Sequence, residues 1–344
     1  MIKQKELGTY SGEVLTETEL SNDSNLRVTA LNLGCRINGI YLTNEKGEEE
    51  NLVLAYEDHA DYLTDENALG AVVGRVAGRI PDAEAEVEGQ KYSLTKNHGD
   101  HHLHGGEKGF ANVFWDAAIH DDEKKPAVVF SYTAEDGEEG YPGRLEVTVT
   151  YTLDEDKLTI DYKASSDKAT LVSLTNHSYF NLSGDLQSSI LNQTLKGPAE
   201  GVLELDGELI PTGEVLPAAD IFPMQEGEAI NTIKKNDHPQ LLLTGRGLDH
   251  FFIWGNTKED IVFAGDTGIK MTVQTTEPGA VIYTAAQMGD DLKLKNGPSF
   301  PFAGLCIETQ RLPVGFSSQG KTCELKAGET YQASTSFHFA PRLK

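Results

Sequence analysis

Cysteine is scarce in this chain of 344 residues, which contains three. Three thiols cannot all form disulfides, and none lies in a Cys-x-x-Cys motif, so the sequence predicts neither a disulfide framework nor a structural zinc site. A reducing compartment is the simplest interpretation. We expect the cytoplasm, because the residues that follow Met1 are polar and form no apolar signal core.

Cationic side chains are also few. Lysine and arginine number 29 against 54 aspartates and glutamates, which gives a formal net charge of −25. A surface this acidic repels nucleic acids and anionic membranes, because binding either one needs clustered cations. It also disfavours a phosphorylated substrate, although one local arginine pocket could override that effect. No apolar run approaches the ~18 residues of a membrane helix, so we expect no membrane span.

The glycine-rich segment 70–81 contains neither a phosphate loop nor a dinucleotide fingerprint, so it gives no support for nucleotide binding. It does carry Arg75 and Arg79, whose guanidinium groups can bind hydroxyls or carboxylates. The chain also lacks a serine nucleophile elbow and a cysteine–histidine signature. The residues that remain point to proton transfer.

Strand signals are abundant. Short β-prone runs separated by turn residues recur along the chain, for example at residues 128–132, 145–153, 158–162 and 331–339. The best helix candidate, residues 57–67, is short. This spacing predicts an all-β fold, a large antiparallel β-sandwich or barrel with few short helices. Because no Pro/Ser-rich linker interrupts the pattern, we expect a single domain over residues 1–344.

Residues 305–310 form the most informative of these runs. In a strand, Cys306, Glu308 and Gln310 share one face. A carboxylate on a buried strand is costly unless it is hydrogen-bonded or has a task, so we single out Glu308 as a candidate catalytic group. The alternative is an ordinary glutamate that faces water at a strand edge.

Four histidines lie in the loop 98–106, namely His98, His101, His102 and His104. Histidine is a common metal ligand, but we do not expect a metal, because the adjacent His101 and His102 would diverge on an extended backbone. We favour His104 as a polar contact in a site, since two glycines beside it allow the backbone to approach a ligand. His101 and His102 are lesser candidates. A solvated polar loop is the alternative.

A predicted strand over residues 170–180 runs on to Asn181 and places Thr175, His177, Tyr179 and Asn181 on one face. A lone histidine in a strand is more often a core residue than a catalyst. The polar neighbours on its face favour a functional role for His177.

Two further candidates lie in the second half of the chain. Asp249 separates a glycine-rich turn from an aromatic run, where it is either a site residue or a turn cap. Tyr283 either stacks on the apolar face of a sugar or belongs to the core. With Glu308, two histidines and an arginine, these residues support acid–base chemistry on a hydroxylated substrate.

Six motifs in this order resemble the aldose 1-epimerase (galactose mutarotase) family over essentially the whole chain. They are residues 74–80 (Gly-Arg-Val-Ala-Gly-Arg-Ile), 103–106 (Leu-His-Gly-Gly), 140–143 (Gly-Tyr-Pro-Gly), 176–182 (Asn-His-Ser-Tyr-Phe-Asn-Leu), 248–250 (Leu-Asp-His) and 308–310 (Glu-Thr-Gln). The resemblance implies a large antiparallel β-sandwich with an open cleft, and an isomerase that interconverts the α and β anomers of free hexoses such as galactose and glucose.

The resemblance also implies roles for single residues. Glu308 is expected to be the base that takes the proton from the C1 hydroxyl, and His177 the acid that protonates the ring oxygen. These roles require a charged His177 beside an ionised Glu308, and we expect each charge to favour the other. His104 is expected near the ring oxygen and C1, and Arg79 and Asp249 are expected to hold sugar hydroxyls.

Tyr283 corresponds to an aromatic residue near the sugar. The reaction needs no cofactor and no metal. The expected partner is a small-molecule aldose, with no nucleic acid and no membrane, and the expected assembly is a monomer or a homodimer. Three places depart from the family pattern: Gly78 stands where many relatives have Asn, Gln193 where a His is expected, and residues 219–224 where a Phe-Asp-Phe-Arg-like run is usual. These departures leave the sugar preference and the loop shape open.

Three other functions remain possible at this point. A non-catalytic sugar-binding protein on the same fold would keep Arg79 and Asp249 but would not need Glu308 and His177 together. A mutarotase for phosphorylated hexoses would need extra cations at the cleft. A glycosidase usually needs two catalytic carboxylates.

Overall fold

The structure is a computed structural model that describes residues 1–255, 259–316 and 322–341. Its strands in the first half of the chain are β1 (Ile2–Tyr10), β2 (Glu13–Ser21), β3 (Leu26–Leu31), β4 (Ile37–Thr43), β5 (Glu49–Asn51), β6 (Val72–Val73), β7 (Arg79–Ile80), β8 (Glu84–Val87), β9 (Gln90–Ser93), β10 (His102–Leu103), β11 (Asp116–His120), β12 (Ala127–Ala134), β13 (Leu145–Asp154), β14 (Lys157–Ser166), β15 (Thr170–Leu171) and β16 (Thr175–Asn176).

The strands that follow are β17 (Thr194–Lys196), β18 (Ala199–Leu205), β19 (Pro211–Pro217), β20 (Glu228–Ala229), β21 (Asp249–Trp254), β22 (Ile261–Ala264), β23 (Lys270–Thr275), β24 (Gly279–Tyr283), β25 (Lys293–Leu294), β26 (Gly297–Pro298), β27 (Cys306–Gln310), β28 (Glu324–Leu325) and β29 (Thr330–Ala340). The α-helices are α1 (Ala218–Ile221) and α2 (Pro239–Leu243). Single turns of 3-10 helix occur at His59–Thr64, Pro81–Ala83, Phe110–Asn112, Glu138–Gly140, Ile190–Asn192 and Ile230–Lys235.

Three antiparallel sheets contain most of these strands. A five-stranded sheet has the order β1-β2-β3-β4-β5, and a nine-stranded sheet has the order β11-β12-β13-β14-β29-β23-β22-β17-β20. The third sheet has the order β19-β18-β21-β24-β27, and short two-stranded ribbons such as β7–β10 and β6–β16 complete the architecture. The predicted all-β fold with few short helices is confirmed.

The long strands follow the alternation that the sequence predicts. Along β13, every second side chain from Leu145 onward is buried, and its neighbours are partly or fully exposed. The buried faces of the strands pack into one large apolar cluster whose members run from Leu20 to Phe339. No helix among the described residues is long and apolar enough to cross a membrane.

Two predicted elements differ from the structure. The helix predicted at residues 57–67 is a 3-10 helix over His59–Thr64. The continuous strand predicted at residues 170–180 is wrong, because pairing there is limited to the two-residue strands β15 and β16 and to single bridges at Ser173 and Phe180. The Asn176 side chain donates to the carbonyl oxygen of Gly70 and accepts from the Ser178 N–H, which ends the ladder in favour of local hydrogen bonds.

Candidate active site

The floor of the candidate site is one face of the third sheet. Cross-strand register places Asp249 of β21 opposite Tyr283 of β24, and Tyr283 opposite Cys306 of β27. The next row along the same face ends in Glu308, which lies opposite Val281. Because side chains alternate between faces, these two rows point to the same side of the sheet.

The opposite side of the site comes from two of the short ribbons. Arg79 is the first residue of β7 and lies opposite Leu103 of β10, so that His104 follows directly. His177 follows β16, whose partner strand is β6. Arg79 and Asp249, which are 170 residues apart in the chain, thereby come within 3.4 Å of each other, measured between Nη2 and Oδ2.

Glu308 and His177 are in direct contact. Glu308 Oε1 lies 3.4 Å from His177 Nε2, and both side chains are almost completely buried. The rings of His104 and His177 meet edge to face, with 5.4 Å between their centroids. The other ring nitrogen of His177, Nδ1, lies 3.6 Å from the sulfur of Cys306.

These groups border a cavity of about 360 Å³, which is within the usual size of small-molecule sites. Its lining includes six of the candidates from the sequence, namely Arg79, His104, His177, Asp249, Tyr283 and Glu308. A second cavity of about 780 Å³ shares six lining residues with the first, namely Glu66, Asn67, Ala68, His98, Leu103 and His104. The cleft therefore continues past these residues into the second cavity.

Burial determines the charge of the central pair. It raises the pKa of Glu308 well above its usual value, and the nearby Asp249 carboxylate raises it further, although Arg79 opposes them. Burial also lowers the pKa of His177 to about 4. Both shifts favour the uncharged forms of the pair, a carboxylic acid beside a neutral imidazole.

This result differs from the charged pair that the sequence predicted. That expectation considered only the attraction between the two groups, whereas the cost of removing both charges from water is larger here. The uncharged and charged pairs hold the same number of protons. They differ by the transfer of one proton across the contact between Glu308 and His177.

His104 has a defined tautomer. The Gly78 backbone N–H donates to its Nδ1 at 3.3 Å, and the His104 N–H donates to the Gly78 carbonyl oxygen at 3.1 Å. A backbone N–H can only donate, so Nδ1 carries no proton and the neutral ring holds its proton on Nε2. Burial keeps the pKa of His104 well below its ordinary value, which makes it a neutral hydrogen-bond donor.

This tautomer bears on metal binding. The ligand atoms of His104, His177 and Glu308 lie within 4.8 Å of one another, a spacing that a metal ion could bridge. A metal bound at Nε2 of His104 would require the proton to move to Nδ1, where it would face the Gly78 N–H. The hydrogen bond at Nδ1 therefore opposes metal binding by this cluster.

Comparisons with known proteins identify the family of this chain. A family model described as aldose 1-epimerase matches residues 17–338. The chain belongs to the aldose 1-epimerase family. It is 36% identical over 340 residues to the galactose mutarotase of Homo sapiens, covering 96% of this chain and 95% of the human protein. It is 29% identical over 330 residues to the aldose 1-epimerase of Escherichia coli (strain K12), covering 93% of this chain and 94% of that protein.

Solved structures resemble this aldose 1-epimerase-family chain along its whole length. The crystal structure of galactose 1-epimerase from Lactobacillus acidophilus NCFM has a TM-score of 0.90 at 26% identity and covers 100% of this chain and 99% of its own. A GalM/aldose epimerase homologue from C. elegans has a TM-score of 0.82 at 25% identity, with coverage of 94% and 98%.

Two of the weaker histidine candidates do not reach the cleft of this family member. His102 is buried between the Thr95 carbonyl oxygen, 2.7 Å from Nδ1, and the Tyr141 hydroxyl, 2.8 Å from Nε2. His101 accepts the Asp82 N–H at Nδ1. Both are structural residues of the loop, whereas His98 lines the cleft, a role that the sequence prediction missed.

The glycine after His104 has a different role from the one expected. Gly105 has a φ of +88°, and a Cβ there would lie 1.8 Å from the carbonyl oxygen of Gly74. The close approach at this glycine is thus to the protein's own backbone, and it holds His104 against the segment that carries Arg79.

Two of the departures from the family pattern, Gln193 and Gly78, have different surroundings. Gln193 is fully buried, donates to the Asn181 side chain at 2.7 Å and accepts the Leu182 N–H at 3.0 Å, so it fixes a loop away from the cleft. Gly78 lines the cleft and lies beside Gln310. Gln310 also borders the cleft, although its motif gave no reason to expect a role in binding.

One phosphate-loop spacing occurs elsewhere, at residues 315–322 (Gly-Phe-Ser-Ser-Gln-Gly-Lys-Thr). Residues 317–321 lie outside the part of the chain that the structure describes. A phosphate loop leads into a helix, and residues 322–341 contain strands β28 and β29 with no helix. The structural context of a nucleotide site is therefore not met.

Proposed function

We propose that this chain is a mutarotase that interconverts the α and β anomers of free hexoses such as galactose and glucose by acid–base ring opening and reclosure. As a member of the aldose 1-epimerase family it is an isomerase of aldose sugars. The observation that carries the proposed mechanism is the direct contact of Glu308 with His177 inside a cleft that also holds the Arg79–Asp249 pair.

In the proposed reaction, Glu308 takes the proton of the C1 hydroxyl while His177 gives a proton to the ring oxygen. The bond between C1 and the ring oxygen breaks, and the C1–O bond becomes the carbonyl of an open-chain aldehyde. Rotation about C1–C2 presents the other face of the carbonyl to the hydroxyl that formed from the ring oxygen. The reverse proton transfers then close the ring as the other anomer.

The number of protons on the pair is constant through this cycle. Before opening, the working pair is an ionised Glu308 and a charged His177, reached by moving one proton across their 3.4 Å contact. After opening, Glu308 is protonated and His177 is neutral, and these are the forms that burial favours. The protein environment thus stabilises the protonation state that the pair reaches after ring opening. The proposed reaction requires no cofactor.

The surrounding groups hold the sugar in place. The Nε2–H of His104 donates a hydrogen bond near the reacting carbon, and Arg79 and Asp249 bind hydroxyls through a guanidinium fork and a carboxylate. Tyr283 presents its ring beside that of His177, with centroids 6.2 Å apart, where it can cover an apolar face of the pyranose.

The charges in the cleft favour a neutral sugar over a sugar phosphate. Among the described residues that line the two cavities, Arg79 is the only lysine or arginine, and Asp249 already pairs with it. Glu66, which lines both cavities, and Asp291, which lines the second, add negative charge. A phosphate group would enter this cleft without a free cation to bind it.

A polarimetric assay tests the proposal. Fresh α-glucose and α-galactose, with xylose, arabinose, maltose and glucose 6-phosphate in parallel, are followed to their equilibrium rotation with and without the protein. We expect acceleration of the neutral hexoses and little or none for glucose 6-phosphate. A rate equal to spontaneous mutarotation for every free aldose would refute the function, and a preference for the phosphate would change the substrate.

The setting of the protein also belongs to this proposal. Three buried, unpaired cysteines support a reducing compartment such as the cytoplasm. The large apolar cluster that runs from Leu20 to Phe339 supports one domain over residues 1–344. We propose a monomer or a homodimer whose partner is a small-molecule aldose, with no nucleic acid or membrane.

A further inference from the structure

Gln310 is a buried polar residue with an unused hydrogen-bonding group. Its side chain is 1% exposed and borders the cleft. Its Oε1 has no hydrogen-bond partner among the residues that the structure describes, and almost no contact with solvent. Leaving a buried acceptor unpaired costs about 1–3 kcal/mol, so such a group next to a cleft calls for an explanation.

The orientation of the amide follows from its one contact. The nearest partner is the carbonyl oxygen of Ala77, 3.5 Å from Nε2. A carbonyl can only accept, so the nitrogen must face Ala77 and the oxygen must point elsewhere. The contact is at the long limit of a hydrogen bond, which leaves the amide free to adjust when a better partner arrives.

Gln310 lies on the same face of β27 as Glu308, one row further along the sheet. Its cross-strand neighbour on β24 is Gly279, which has no side chain to cover it. On its other side lies Gly78, where an added Cβ would be 3.5 Å from Nε2. Gly78, which lines the cleft, therefore adds no side chain over this amide, whereas the space beside Gly279 is taken by the ring of Phe251.

We propose that the Gln310 amide binds a hydroxyl of the sugar near the reacting carbon and thereby helps to set which aldoses the cleft accepts. This inference rests on the proposed function, because it places C1 at Glu308. The sugar hydroxyl donates a hydrogen bond to Oε1, which has no donor in the sugar-free cleft. The amide nitrogen can donate to the same edge of the sugar.

The spacing along β27 indicates which hydroxyl is bound. Residues two apart on a strand are separated by about 6.6 Å, and their side chains are parallel. A pyranose with its C1 hydroxyl at Glu308 therefore presents the hydroxyl of C2 or C3 towards Gln310. Stereochemistry or substitution at these carbons is then what the residue distinguishes.

The test combines a protein change with a substrate change. Gln310→Met keeps the length of the side chain and removes both polar atoms. The kcat/KM values of the wild type and the variant are measured on glucose, 2-deoxyglucose and 3-deoxyglucose. We expect the variant to lose about tenfold on glucose and to lose little on the deoxy sugar that lacks the bound hydroxyl, because the contact is already absent there.

Thr309→Val is the matched control. Thr309 neighbours Gln310 on β27 but points to the other face, where its hydroxyl pairs with that of Thr335 at 2.6 Å. This variant should change the three sugars by one common factor. Gln310→Asn, which withdraws the amide by one methylene group, provides the same comparison if Gln310→Met does not fold.

Two results would overturn the proposal. One is an equal loss on all three sugars in the Gln310 variants, which would indicate a purely structural role. The other is no loss on any of them. Calorimetric titration of glucose and the deoxy sugars is run in parallel, since the same pattern in the dissociation constants tests Gln310 even if the wild type turns over none of them. In that last case the proposed function fails while the binding result still decides the role of Gln310.

Discussion

Replacing Glu308 by glutamine should separate catalysis from both binding and stability. The substitution keeps the shape of the side chain, so it opens no cavity, but the amide can neither take nor return a proton. Glutamine therefore has no proton to exchange with His177 across their contact. We expect kcat to fall by about 10²–10⁴-fold, the usual effect of a positioned acid or base, which corresponds to about 2.7–5.4 kcal/mol of transition-state stabilisation.

The stability of this variant has a predictable sign. Because burial raises the folded-state pKa of Glu308, the folded protein binds its proton more tightly than the unfolded chain does. The stability that this provides is fully present below the unfolded pKa of about 4.3 and is lost as the pH rises through the folded value. At pH 8 the wild type therefore bears a cost that Glu308→Gln avoids, and we expect the variant's Tm to be equal or higher.

Polarimetry on fresh α-galactose gives kcat, calorimetry gives the sugar affinity, and thermal melts at pH 5 and pH 8 give the stability. Glu277→Gln is the matched control, since Glu277 is also buried but pairs with Arg311 at 3.3 Å outside the cleft. It should lower the Tm with little change in kcat. A Glu308→Gln variant with near-normal kcat would refute the assignment of the base, and a large loss of Tm or sugar affinity would refute the reasoning about burial.

The remaining predictions concern the walls and supports of the cleft. Arg79→Lys should raise KM about tenfold with a smaller effect on kcat, because lysine cannot form the guanidinium fork, and steady-state kinetics would contradict this if only kcat changed. His250 is buried with its pKa lowered to about 4. The folded protein therefore loses up to about 3 kcal/mol of stability as the pH falls from 6.5 to 4, because the unfolded chain binds a proton at this residue first. Urea denaturation across this range should show the loss, and His250→Asn should make the loss smaller. Arg36→Met would leave the Asp65 carboxylate buried without its cation, since their contact is 2.5 Å long with both side chains fully buried. We expect a loss of about 3–5 kcal/mol in the free energy of unfolding. The Arg36→Met/Asp65→Asn double variant removes the buried charge but keeps an acceptor for the Tyr56 hydroxyl and the Leu69 N–H, so it should recover part of the loss, and equal stability of the single and double variants would contradict this.

The sequence predicted what depends on local pattern. Alternating hydrophobicity identified the long strands such as β13, and the two-residue period of strand geometry placed Cys306 and Glu308 on one face of β27, although every residue of β27 is buried. The segment after Thr170 was mispredicted, because all its residues from Thr170 to Phe180 are buried and its ladder ends at the side-chain bonds of Asn176. A pattern of alternation carries no information where both faces are covered.

The protonation of the site could not be read from the sequence. It depends on the burial of Glu308 and His177, which results from contacts between segments far apart in the chain. His177 and Cys306, for example, are 129 residues apart yet lie in contact. The tautomer of His104 depends likewise on one backbone N–H, that of Gly78, and the place of the Gln310 amide beside the cleft depends on Gly78, which lies 232 positions earlier in the chain.

The assembly of the cleft from one large sheet and two short ribbons has a consequence for refolding. Non-local contacts form slowly because their loops must close first, so we expect the strands of each sheet to pair before the ribbons β7–β10 and β6–β16 dock on the third sheet. Recovered turnover would then lag behind the recovery of the far-ultraviolet circular dichroism signal after dilution from denaturant. Enzyme activity would report the final docking of the chain rather than the formation of its strands.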